Sequence, residues 1–187
     1  MSHIDKNNKT FKLTLSALFI ALGTALSFIK IFTLPLGAAV TLFSMLPICL
    51  LSLMYGFKYS LVPCMLFGAV QMFVTGVFGW GLTPSILIGS IAFDYIFAFG
   101  VLSLSGIFRK RGEKGMYFGI VLAAALRFIC HFLSGCIFFR CFDYFGGNPY
   151  VYSLCYNGAF MLPELLLTVL GAFLIFRIKP LREFIER

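Results

Sequence analysis

The sequence predicts an all-α integral membrane protein of six transmembrane helices, with both termini in the cytoplasm. Three observations predict it. Of 187 residues, 60% are hydrophobic and only 12% are charged, too little polar character for the surface of a water-soluble domain of this size. The apolar residues come in runs of roughly 18 to 25, the length of helix that crosses a hydrocarbon core. The basic residues gather in alternate connections, as the positive-inside rule requires.

Lys6, Lys9 and Lys12 precede a first span at 11–29. This stretch is longer than a secretory h-region and no small-residue cleavage site follows, so it is read as a span and not as a leader. Ala17, Ala21 and Ala25 recur every four residues along it and line one face, a spacing that allows close helix approach in membranes. Lys30 falls in the first outer connection, and a second span covers 36–54. Lys58 marks an inner turn before the third span, 59–78. Trp80 lies in the next outer connection, ahead of the fourth span, 84–108. Arg109, Lys110, Arg111 and Lys114 form an inner basic cluster before the fifth span, 116–139. The connection 140–153, RCFDYFGGNPYVYS, is rich in Gly, Pro and aromatics and reads either as interfacial anchors or as a lid over an outward pocket. The sixth span, 154–177, ends at Arg177, with Lys179, Arg182 and Arg187 behind it.

Twelve basic residues then lie on one side and only Lys30 and Arg140 on the other, with Arg127 inside a span. The net charge of +8 is accounted for by topology and by anionic lipid, so no nucleic-acid partner is implied. The whole chain, 1–187, is consumed by one membrane domain. Alternating strands of an outer-membrane barrel are absent from the pattern. The six cysteines form no CxxC and no metal-ligand spacing,, and neither a metal nor a cofactor is expected.

Ionisable groups within spans are expensive and usually functional. Four stand out: Asp94 in span four, Arg127 and His131 in span five, and Glu164 in span six. At 1.5 Å per helical residue they lie about 12 to 18 Å below the outer surface, and Arg127 and His131, four apart, share a helix face. The four groups can therefore meet in one cavity open to the outside. With His131 neutral the cluster holds a net charge of −1, which a cationic ligand would complete; a protonated Asp94 or Glu164 would make it neutral instead, and a structural ion pair of Arg127 with Glu164 or with Asp94 is the alternative to ligand contact. Tyr95, Phe139, Tyr152, Tyr156 and Trp80 lie near these groups, and aromatic faces bind cations and stack on flat rings.

The stretches RFICHFLSGCIFF (127–139) and NPYVYSLCYNGAFMLPELLLT (148–168), with FDY at 93–95 and PLGAAVTLFSMLPI at 35–48, resemble the thiamine-specific S components of energy-coupling factor transporters. The resemblance runs from about residue 10 to 177. It implies a six-helix protein of the plasma membrane that captures thiamine, or a similar cationic heterocycle, from outside and is not an enzyme. It implies as partners one transmembrane coupling protein and two cytoplasmic ATPases, met through Ala17, Ala21 and Ala25. Asp94 matches an acidic position that faces the thiazolium, and Tyr95 follows it as in the family. His131, Tyr152 and Asn157 match polar pocket positions, and Glu164 matches the Glu after Pro. Two positions depart from the family: Ala38 and Phe139 stand where pocket tryptophans are found, and Trp80 is the candidate that restores a stacking surface.

Two other classes fit the sequence less well. His131 and Ser134, three apart on one helix, suggest a hydrolytic pair, but no GxSG-like motif and no orienting third group accompany them. A self-sufficient carrier is disfavoured by the absence of an internal repeat and of broken-helix pairs.

Overall fold

The structure is a computed structural model; it describes residues 8–139 and 147–186, apart from the side chains of Leu36 and Glu186. Helix α1, Lys9–Ser27, starts where the Asn8 side chain accepts the N–H of Thr10 at 2.9 Å, the usual way to satisfy a free amide of the first turn. A two-stranded antiparallel hairpin comes next, β1 Lys30–Thr33 and β2 Ala39–Thr41, joined through a 3-10 turn at Pro35–Gly37. Helices α2, Leu46–Tyr55, and α3, Phe57–Thr75, are separated only by Gly56. At φ 79° this residue sits in backbone space that a side chain would strain,.

A continuous helical rod then runs over 84–106. It begins as α4, Pro84–Ser90, widens into a π-helical segment at Ile91–Phe97, and returns through α5, Ala98–Gly100, to a 3-10 stretch at Val101–Gly106. After a basic turn at Arg109–Arg111, α6, Gly112–Phe138, packs back along the rod. Helix α7, Pro149–Arg177, is capped by the Asn148 side chain, and α8, Lys179–Glu186, closes the chain.

Four helical stretches are apolar and long enough to cross a membrane: Lys9–Ser27, Phe57–Gly79, Pro84–Phe138 and Pro149–Arg177. The third is 55 residues long and reverses at the basic turn. Their outer faces carry Leu13, Leu22, Val62, Leu66, Ile88, Phe118, Leu162 and Leu166 exposed, as expected of surface turned to lipid. Helix α2 is the reverse case. Ile48, Leu51 and Leu53 are fully buried, and Ile48 and Leu53 sit in the main core with Phe67, Leu102, Met116 and Ile120, the place for a helix that is apolar on every side.

Several sequence expectations are corrected. The second span, expected over 36–54, is helical only over Leu46–Tyr55, about 15 Å of rise. Residues 36–45 form the turn, strand β2 and bends. They lie beside a cavity, where non-helical backbone at membrane depth is tolerated. The sixth helix begins at Pro149 and not at 154, so the end of the connection 140–153 is helix. Residues 140–146 of that connection, the expected lid or anchors, lie outside the described residues, as do Lys6, Arg140 and Arg187. Helix α8 has no counterpart among the expected spans; it packs on α2 and α7 with Ile185 buried.

Lys12, Arg109 and Arg182 gather at the end of the bundle where α2 finishes. The Lys12 ammonium lies 5.2 Å from the ring of Tyr55 at the end of α2. Arg109 donates to the carbonyl of Met54 at 2.5 Å, and Arg182 of α8 pairs with Glu113 at 3.7 Å.

Candidate functional site

One cavity holds the ionisable groups. Its walls come from the hairpin, the π segment, α3, α6 and α7, and it includes Asp94, Tyr95, His131, Phe139, Tyr152, Asn157, Glu164 and Trp80. Every residue expected to contact a ligand therefore lies on the same surface.

The π segment positions the acid. An extra residue in a helical turn rotates the side chains beyond it, and such turns are frequent at functional sites. Here Gly68 of α3 lets the segment approach closely: a Cβ there would collide with the carbonyl oxygen of Tyr95. Asp94 is turned inward, where it has three side-chain hydrogen-bond partners. Ser90 Oγ and Ser134 Oγ reach Oδ2 at 2.7 and 2.6 Å, and His131 Nδ1 lies 2.9 Å from Oδ1. The Tyr95 hydroxyl is 2.6 Å from Thr75 Oγ1, which fixes the segment to α3.

The deeper acid is Glu164, fifteen residues into α7, about 22 Å along its axis. Its Oε2 accepts from Arg127 Nη1 at 3.2 Å. Its Oε1 accepts both from the Thr41 backbone N–H at 3.1 Å and from Thr41 Oγ1 at 2.5 Å. The Arg127 guanidinium also lies over the ring of Phe99, 4.4 Å from its centroid, and Nη1 contacts Met45 Sδ. Of the pairings left open by the sequence, the structure shows Arg127 with Glu164. The second carboxylate, Asp94, is left to His131. Ser134 turns to Asp94 as well, so the His131/Ser134 pair is not the start of a nucleophilic relay.

Aromatic surfaces line the rest. Tyr152 and Tyr156 stack at 5.5 Å, 27° from parallel, and Phe160 meets His131 edge-on at 5.8 Å. The Tyr156 hydroxyl donates to the Pro35 carbonyl and ties α7 to the hairpin turn. Trp80 stands directly over Gly37. Asn157 donates to the His131 carbonyl at 3.3 Å and to Ser153, joining α7 to α6 behind the cavity.

Sequence reasoning missed Thr41, Ser44, Gln71 and Thr75, which also line the cavity. Each is an uncharged polar residue inside an apolar run, a common feature of membrane helices and a weak signal. Lys30, placed outside by the charge count, stands on the cavity lining at β1. Among the described residues no cluster of metal-ligating side chains occurs.

A second feature lies on the outside of the bundle. Ala17, Ala21 and Ala25 are exposed and form the floor of a shallow apolar groove whose other bank is Leu66, Val70 and Phe73 of α3.

A membrane bundle enclosing a charged and aromatic cavity is the architecture of a small-molecule carrier or capture protein,. The family described as "Thiamine transporter protein" matches residues 13–183, and the chain belongs to that family. It is a transport protein of the multi-pass membrane class and not an enzyme. It is 28% identical over 160 residues to the thiamine transporter ThiT of Bacillus subtilis (strain 168), covering 79% of this chain and 80% of that one. It is 25% identical over 177 residues to ThiT of Lacticaseibacillus paracasei, covering 88% and 86%. The solved structure of ThiT from Listeria monocytogenes superposes with a TM-score of 0.79 over 96% of this chain and 99% of that one, at 22% identity, which shows a shared fold.

Proposed function

We propose that this chain captures thiamine at the outer face of the plasma membrane as the S component of an energy-coupling factor transporter. The observation that carries the reading is the composition of the cavity at Asp94. One carboxylate, Asp94, has no Arg or Lys partner among the described residues, and it stands among Tyr152, Tyr156, Phe139 and Trp80. Thiamine joins a cationic thiazolium to a flat pyrimidine, so it needs one compensating negative charge and aromatic faces. Arg127 neutralises Glu164, so of the two buried carboxylates one, Asp94, is left to face the ligand, while Lys30 stands exposed at the rim.

The departures from the family pattern are compatible with this ligand. Where a tryptophan is missing at Ala38, Trp80 approaches from the α3–α4 connection and packs on the adjacent Gly37. We assign to Trp80 the stacking role that Ala38 cannot fill. Tyr95 and Glu164 support the wall and the floor, and His131, Tyr152 and Asn157 supply the polar contacts.

In the membrane the chain makes six passes, with the short α2 completed by the hairpin and both termini inside. Clustering of Lys12, Arg109 and Arg182 at one end of the bundle supports that orientation. The groove at Ala17, Ala21 and Ala25 receives the coupling protein, and the two ATPases act through it.

The test is thiamine binding to the purified chain in detergent, followed by intrinsic fluorescence, with riboflavin and biotin as controls. Saturable quenching by thiamine alone is expected. Uptake into vesicles is expected only when the coupling protein and ATPases are present; uptake by the chain alone on an ion gradient would instead identify a secondary carrier.

A further inference from the structure

The first turns of α1 and α3 carry a cationic cluster that the capture of a vitamin does not use. Lys9 and Lys12 stand on α1 and Lys58 on α3; Lys9 and Lys58 are exposed and Lys12 is half-buried. Neither helix contains an Asp or a Glu, and the ion pairs among the described residues lie elsewhere. The Lys12 ammonium lies instead over two rings, 5.2 Å from the centroid of Tyr55 and 5.7 Å from that of Tyr59. Aromatic faces hold a cation in place without neutralising it, so its charge is kept for a further partner.

The cluster stands at the foot of the groove between the same two helices. The Tyr59 hydroxyl is 3.0 Å from Ser16 Oγ, one residue before Ala17, where the groove begins on α1. Above that point the groove is apolar. Its one hydroxyl, on Thr24, donates to the Ile20 carbonyl at 2.8 Å. Beside it Leu13 and Val62 are exposed, as side chains turned to lipid are. The hydrocarbon of one leaflet is about 15 Å deep, half of the usual core. Measured up the helices from Lys12 and Lys58, that depth ends about ten residues on, near Leu22 and Gly68, and includes Ala17, Ala21 and Leu66 of the groove. Unneutralised cations at the interface and an apolar channel one leaflet long match the two parts of an anionic phospholipid.

We propose that the α1/α3 groove of the free chain holds one anionic phospholipid of the cytoplasmic leaflet, with its phosphate at Lys12 and Lys58 and an acyl chain along Ala17, Ala21 and Leu66. Juxtamembrane lysines attract anionic lipid in general; the aromatic seat under Lys12 and the groove above it make this a site. An acidic protein segment would use the lysines and leave the apolar channel unfilled. The inference stands whatever the vitamin is. It also goes beyond the docking read for the same groove, because a lipid chain and a coupling protein seated on Ala17 and Ala21 exclude each other.

The experiment is native mass spectrometry of the full chain released from detergent, titrated with phosphatidylglycerol or with phosphatidylcholine of the same chain length. One phosphatidylglycerol is expected to fill its site first. Lys12→Gln and Lys58→Gln should each weaken it about fivefold, and Lys12→Arg should retain it. The double variant Lys110→Gln, Lys114→Gln removes more basic charge outside the site and should leave binding unchanged. Ala21→Trp should weaken binding with every lysine in place, and glycerophosphoglycerol, the headgroup without chains, should not compete. Size exclusion separates a folding defect from a lost site, and exposed Lys58 supplies the deciding variant where Lys12→Gln fails to fold. Equal losses in the Lys58 and the Lys110/Lys114 variants would overturn the site and leave diffuse attraction to charge. Competition by the headgroup alone, or undiminished binding in Ala21→Trp, would overturn the lipid and make the lysines a seat for free phosphate or an acidic segment.

Discussion

Thr41 and Glu164, 123 residues apart in sequence, are joined twice: the backbone N–H and the hydroxyl of Thr41 both donate to Glu164 Oε1. The contact fastens the end of the hairpin to the middle of α7 and holds Glu164 where its other oxygen meets Arg127. Floor and wall of the cavity are thereby one network, with no water-exposed member to relax. Glu164→Gln removes the charge that balances Arg127 in a buried site, which ordinarily costs about 3 to 5 kcal/mol. Thr41→Val removes only the hydroxyl and keeps the backbone bond, at about 1 kcal/mol. Thermal aggregation followed by size exclusion should therefore show a large loss for Glu164→Gln and a small one for Thr41→Val. Equal losses would mean that Arg127 finds its compensation elsewhere.

Asp94 is a hub as well as a charge. Asn is isosteric but presents an amide nitrogen on one side, so it cannot accept from Ser90, Ser134 and His131 together. Asp94→Asn is expected to weaken thiamine binding by about 3 kcal/mol, on the order of 100-fold in Kd. Ser90→Ala removes one of three partners and leaves the charge, for a loss of about fivefold to tenfold. Titration of fluorescence against thiamine concentration measures both. Unchanged affinity in Asp94→Asn would place the compensating charge outside this pair.

Trp80 is the only tryptophan in the chain, and it lies on the cavity wall over Gly37. Ligand-dependent tryptophan emission therefore reports one position. Trp80→Phe should abolish the response at tryptophan wavelengths and weaken binding about fivefold, in line with the loss of roughly 1 kcal/mol of stacking. Gly37→Ala tests the same contact from the other side. Gly37 has φ 78°, and an added Cβ would meet the indole at 2.6 Å, so the turn or Trp80 must shift. A fall in affinity is expected, together with a changed emission of the unliganded protein. An unaltered Kd in both variants would remove Trp80 from the site.

Long apolar runs and their basic punctuation made four membrane-capable stretches readable from composition alone. The second span misled because PLGAAVTLF is as apolar as a helix, although Pro35 and Gly37 already marked a turn. Hydropathy does not separate a lipid-facing helix from a cavity wall, and Gly37, Ala38, Ala39 and Thr41 of this segment line the cavity. The carboxylates and His131 were legible because ionisable residues in apolar runs are rare. Thr41 and Thr75 were not, since a hydroxyl in a helix ordinarily bonds its own backbone, as Thr24 does to Ile20. The π turn that aims Asp94 is likewise silent in the sequence, because it depends on packing against Gly68 of α3.

If the groove on α1 is the docking surface proposed above, binding and transport are separable by mutation. Ala17, Ala21 and Ala25 are on the outside, away from the cavity lining, so a larger side chain there fills the groove without entering the core. Small residues lining a helix face permit close approach of another helix, and a bulky one holds that helix off by several ångströms. Ala21→Trp should bind thiamine with unchanged affinity in detergent. In vesicles reconstituted with the coupling protein and ATPases it should lose most ATP-driven uptake, with Ala21→Ser retaining it because the groove stays open. Loss of binding together with uptake would mean that the substitution disturbs the bundle. Full uptake by Ala21→Trp would move the docking surface away from α1, and the groove would then be a lipid-facing seam between α1 and α3.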